Sequence, residues 1–219
     1  MFAGHLGVAL AIGRAERRIN PGAMVFAALL LDVVLWSFVL LGWESAVIPA
    51  NFATTHQPEF VFPYSHGLLA AIGWSALTGA ATYFWYPQLA GAKARAAACV
   101  ALAVFSHWLL DALVHAPELP LAGASSPKVG LGMWGTMPVA LGLETVITAT
   151  GLGLFLPGAE LSRARKLWLV ALSLAVMGFT TLGMTVAPPP PSVTAMAASS
   201  LVTIIVVCTL AGWLGKRPA

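Results

Sequence analysis

The stretch Ala94-Arg95-Ala96-Ala97-Ala98-Cys99-Val100-Ala101-Leu102-Ala103-Val104-Phe105-Ser106-His107-Trp108-Leu109-Leu110-Asp111-Ala112-Leu113-Val114-His115 decides how this chain is read. It is apolar on every side, as a membrane span is. Beyond Arg95 at its start, three ionisable side chains break that rule: His107, Asp111 and His115, at i, i+4 and i+8. On one helix they lie along one face, drifting about 40° per step. A charged group in hydrocarbon costs roughly 2.5–3.5 kcal/mol on insertion scales, so such groups point to a function. Imidazole and carboxylate together are ligands for a catalytic divalent metal.

The rest of the chain carries the same signature. Its 219 residues are 59% hydrophobic and 9% charged, and mean hydropathy is +0.86. A soluble domain carries about 25% charged residues, so this composition cannot cover a water-soluble globule. The reading is a single integral membrane domain over residues 1–219. The sequence pI near 9.1 needs no nucleic-acid partner, because the basic residues cluster in short loops, as membrane orientation requires. Cys99 and Cys208 lie in apolar stretches and read as packing residues. Met1–Gly13 lacks the positive charge that precedes the apolar region of a secretory signal.

Apolar runs and breakers predict an all-α, polytopic transmembrane bundle of about six to seven helices, the first one short. The segments are Phe2–Ile12, a helix from Asn20-Pro21 to Trp43, Tyr64–Tyr86, Ala94–His115, Trp134–Leu156, Leu167–Val186 and Thr194–Leu214. Polar loops cover Glu44–Pro63 and Ala116–Met133, and Pro188–Pro191 forces a turn. Trp43, Tyr64, Tyr83, Trp85, Tyr86, Trp134, Trp168 and Trp213 fall near the segment ends, like an interfacial belt.

Arg14, Arg17, Arg18, Lys93, Arg95, Arg163, Arg165, Lys166, Lys216 and Arg217 share one side if the spans alternate. The C-terminus is therefore expected in the cytoplasm, in a setting such as the bacterial inner membrane, with the two polar loops outside. At 1.5 Å per residue, His5 lies about 13 Å above the cytoplasmic boundary, Asp32 about 16 Å, His107 about 18 Å, Glu144 about 20 Å and Asp111 about 24 Å. His66 lies near the outer start of its helix. Groups from separate helices thus share one band, from mid-membrane to the outer leaflet.

No Lys or Arg lies in a predicted helix core, so the counter-charges for Asp32 and Asp111 are protonated histidines or a bound cation. The two carboxylates with His66, His107 and His5 fit a divalent metal. His107 and Asp111 can share one ion. His115 lies about 12 Å along the axis from His107; it is expected at the outer entrance or on a second ion. Glu144 is read as a proton carrier or ligand, and His56 as a solvated loop residue. Ser65 and Ser106 each precede a histidine, but neighbours on a helix point about 100° apart and make no dyad.

The ordered set His5, Asp32, His66 and His107-x-x-x-Asp111 resembles the membrane-bound metal-dependent hydrolase family, itself remotely similar to zinc-dependent phospholipase C. The resemblance spans roughly residues 1–115. It implies that Asp32, His66, His107 and Asp111 hold one metal, with Asp111 bridging to a second ion that uses His5. The expected activity is hydrolysis of an ester or phosphoester in a lipid-like substrate drawn from the membrane. It would use water activated by Zn²⁺, or Mn²⁺, in one or two ions. Glu144 or His115 would shuttle the proton. The rival class is a metal-ion or proton transporter with the same Asp/His site.

Overall fold

The computed structural model describes residues 1–86 and 91–216; Arg217 lies outside them. The chain is an all-α bundle. Helices α1 (Phe2–Ala15), α2 (Pro21–Ala28), α3 (Leu30–Leu41), α4 (Phe52–Thr55), α5 (Leu68–Trp85), α6 (Lys93–Val114), α7 (Met137–Phe155), α8 (Arg163–Thr185) and α9 (Val193–Leu214) follow in order. Five spans are long and apolar enough to cross a membrane, or six if α2 and α3 count as one bent span. The most apolar, α9, has mean hydropathy 2.2, yet only 17% of it is buried. Phe179, Leu182, Ile205 and Trp213 are all more than half exposed. Apolar surface on that scale needs lipid to cover it. The protein is an integral membrane protein.

Local signals set most helix ends. Asn20 caps α2 by accepting from Gly22 N, with Pro21 in the first turn. Ser162 and Ser192 cap α8 and α9 through Arg165 N and Ala195 N. Helix α1 has 14 residues, about 21 Å at helical rise, and is short of a full crossing. It is held against α7 at backbone distance. A Cβ on Gly7 would stand 2.6 Å from Thr148 Cα, and one on Gly151 would stand 2.0 Å from Gly7 O. Small residues permit this approach between membrane helices. Thr148 Oγ1 donates to Ala3 O and Gly4 N donates to Glu144 Oε2, on the same pair of faces.

Three expectations need correction. The helix expected over residues 20–43 is not continuous: α2 and α3 meet at Leu29 with a 56° bend. No proline or glycine lies at the break. A side chain from α6 inserts there instead, the His107 ring hydrogen-bonding the Ala28 carbonyl at 2.7 Å, which is one recognised cause of a kink. The third span begins at Leu68, because Tyr64–Gly67 forms a turn outside the helix. The loops also carry structure. Within Glu44–Pro63, β1 (Ser45–Val47) pairs antiparallel with β2 (Glu59–Val61). Within Ala116–Met133, β3 (Leu119–Pro120) pairs with β4 (Lys128–Val129).

Candidate metal centre

The site forms where α1, α3, α6 and the turn before α5 meet. His5, His66 and His107 are fully buried, and Asp111 nearly so. The Nε2 atoms of His66 and His107 stand 3.1 Å apart. Asp111 Oδ2 lies 3.4 Å from the first and 3.2 Å from the second. Asp32 Oδ1 lies 3.6 Å from each. The other oxygen of Asp111, Oδ1, faces His5 Nε2 at 3.2 Å and the Met1 amino nitrogen at 3.3 Å. The His5 and His107 rings stack, with centroids 3.8 Å apart.

Neighbouring groups hold the imidazoles in place. A carbonyl only accepts, so the bond to Ala28 puts the hydrogen of His107 on Nδ1 and leaves Nε2 as a lone pair toward the cluster. Ser65 Oγ lies 2.9 Å from His66 Nδ1, a contact expected to be absent on a helix. It forms because Ser65 and His66 occupy the turn before α5. Glu44 Oε1 accepts from Tyr64 N at 2.7 Å and Ser65 N at 2.9 Å, fixing that turn from the end of α3. Ser106 does not pair with its histidine; its hydroxyl donates to Ala103 O.

This set fits a divalent metal. Ligand atoms bound to one ion at 2.0–2.2 Å stand roughly 3–4 Å from one another, which matches the separations among His66, His107, Asp32 and Asp111. Two triads, Asp32/His66/His107 and His5/His107/Asp111, each offer ligand atoms within 4.8 Å of one another. His5 Nδ1 has no hydrogen-bond partner among the described residues. There too, the ion-pair partners of Asp32 and Asp111 are histidines and the Met1 amine, with no Lys or Arg. The hydrogen bond on the far nitrogen of His107 is the kind of outer support that orients a metal-binding imidazole.

His115 departs from expectation. Helix α6 stops at Val114, and His115 is extended, with φ −64° and ψ 144°. Its ring therefore turns back, bringing Nε2 to 3.7 Å from Asp111 Oδ2. Straight-helix spacing puts it at the outer entrance or on a second ion. Its Nδ1 is held 2.5 Å from Glu118 Oε1, a partner that the His-x-x-Glu spacing could have revealed. Trp134 packs its ring 4.3 Å from that of His115, so it also lines the site. Glu144 is buried, and the hydrogen bond it makes is to the first turn of α1.

A cavity of about 290 Å³ adjoins the cluster, touching Asp32, His66, Asp111, His115 and Glu144. Its walls include Trp36, Phe60, Phe62 and Trp134, and residues of α8 and α9. His56, expected in solvent, is buried and lines it. The 52–56 turn rolls it inward, with φ +53° at His56 itself. Neither Glu44 nor the α8–α9 wall carries a local sequence signal for such a role. No family model, curated protein or solved structure matches the chain.

Proposed function

We propose that the protein is a membrane-embedded, metal-dependent hydrolase of an ester or phosphoester in a lipid-like substrate. One observation carries this reading: two imidazole Nε2 atoms and two carboxylates from α3, α6 and the turn before α5 converge at metal-ligand spacing on the wall of a largely apolar cavity. Asp32, His66, His107 and Asp111 Oδ2 hold the first ion. Asp111 Oδ1 and His5 face a second position. A nitrogen-rich set with carboxylates suits Zn²⁺, with Mn²⁺ as the harder alternative. Such an ion supplies Lewis acidity and brings the pKa of water toward neutrality. His115, steadied by Glu118, and Glu144 face the cavity as proton-handling groups. On this reading the basic loops lie inside, so the C-terminus is cytoplasmic and the site faces the outer leaflet.

The test is metal content by mass spectrometry of detergent-purified protein, for wild type and Asp111→Ala. At least one equivalent of zinc or manganese in wild type, lost in the variant, is expected. No stoichiometric metal in wild type after incubation with either ion overturns the reading. Release of phosphate or fatty acid from lipids then separates hydrolysis from transport, which would appear as Zn²⁺ flux into proteoliposomes.

A further inference from the structure

The α8–α9 wall of the cavity has no task in the metal chemistry. Thr180, Gly183 and Met184 face it from α8, and Met196, Ser200 and Thr203 from α9. The spacings i, i+3, i+4 and i, i+4, i+7 put each set on one helix face. Thr180 is 6% exposed, and its hydroxyl has no hydrogen-bond partner among the described residues. Its neighbours Thr181 and Thr185 return theirs to the carbonyl four residues earlier. A buried hydroxyl left unpaired is costly, so a ligand oxygen placed there would be bound by it. Phe179 also lines the cavity, yet it is 56% exposed on the surface that lipid covers; Ser199 of α9 is likewise both lining and exposed. Residues of both α8 and α9 thus join the cavity wall to the lipid-facing surface. Its volume of about 290 Å³ sits at the bottom of the roughly 300–1,000 Å³ range of small-molecule sites. A whole two-chain lipid does not fit inside. A polar linkage and the first part of one chain do.

We infer that a membrane lipid enters sideways between α8 and α9, lays the start of a single chain in the cavity, and accepts a hydrogen bond from Thr180 Oγ1 on the oxygen of its carbonyl or phosphoryl linkage. The cleavage of that linkage rests on the hydrolase reading; the lipid cleft does not.

The experiment is photocrosslinking in nanodiscs with two single-chain probes, a lysophospholipid carrying a mid-chain diazirine and a diazirine alkyl phosphate, mapped by peptide mass spectrometry. Crosslinks are expected to concentrate on residues 179–184 and 196–204 over the lipid-facing side of α5. Gly183 lines the cavity and a Cβ there meets no atom within 4 Å, so Gly183→Trp adds an indole at the cavity wall with no clash at Cβ. It should cut the cleft signal roughly fivefold or more by occupying the pocket. Gly178→Trp, equally open and on another face of α8, should leave it unchanged. Thr180→Val should weaken binding of the probe whose oxygen it meets roughly tenfold, the scale of one hydrogen bond. Thr180→Ser should restore it, and the probe affected tells carbonyl from phosphoryl. Crosslinks spread evenly over the lipid-facing helices, or indifferent to Gly183→Trp, overturn the inference. Cleft crosslinking in protein that releases neither phosphate nor fatty acid supports the cleft and overturns the hydrolase reading alone.

Discussion

His66 and His107, 41 residues apart in sequence, aim their Nε2 atoms at each other across 3.1 Å. His107 has already committed its other nitrogen to a carbonyl. If Ser65 Oγ accepts from His66 Nδ1, both facing nitrogens carry lone pairs, and a cation between them removes the repulsion. His107→Gln is therefore expected to abolish stoichiometric metal. Ser65→Ala, which touches only the far nitrogen, should weaken affinity roughly 10–100-fold. Competition with a chelating dye measures both, and wild-type affinity in either variant would be the contrary result.

Glu44 accepts from two backbone N–H groups of the turn that carries His66. Charge-assisted bonds of this kind contribute about 1.5–3 kcal/mol each. Glu44→Ala should lower thermal stability and weaken metal binding together, whereas Glu44→Gln, which keeps the accepting oxygen, should retain most of both. Parallel melting curves with and without added zinc report the two effects.

At the basic end of the bundle, Glu16 is buried and accepts from Arg95 Nε at 2.8 Å and Arg18 N at 3.1 Å. Burial alone would raise its carboxyl pKa, but the Arg95 and Arg18 bonds outweigh burial and hold it below the usual range. Its folded pKa is thus lower than its unfolded value of about 4.3. The stabilisation is complete above that value and fades as pH falls through it toward the folded pKa. Because Arg95 is 59% exposed on its side chain, solvent screening keeps the gain near 1 kcal/mol. Detergent melts of wild type and Arg95→Ala should differ at pH 7 and converge toward pH 3. A constant gap would refute the assignment.

Gly7 and Gly151 set how closely α1 approaches α7. Gly151→Ala drives a methyl into the Gly7 carbonyl, so α1 must shift and carry His5 with it. Overpacking of this kind costs typically 1–3 kcal/mol. The expected result is a lower melting temperature and a weakened second ion, with the first ion kept. Titration by mass spectrometry distinguishes the two equivalents.

The sequence exposed the bundle because hydropathy and helix breakers are local properties: α6 and α9 fall within a residue of their expected bounds. His5, Asp32, His66, His107 and Asp111 were legible as ionisable residues at a common depth inside apolar runs, and the structure brings them together. The turn that carries Ser65 and His66 was not legible, since Glu44 holds it from 20 residues away. Nor was the reversal at His115, because axial rise gives positions only while the helix lasts. The bend at Leu29 arises from His107, on a distant segment, and no residue near it announces the break.

That bend has a mechanical corollary. Ala28 closes one arm of the joint and Asp32 lies in the first turn of the other, and both meet the same imidazole of His107. An ion held by Asp32 and His107 would act as a splint across the elbow between α2 and α3. On the proposed metal reading, the helix braced in this way is α3, whose Asp32, Leu35 and Trp36 wall the cavity.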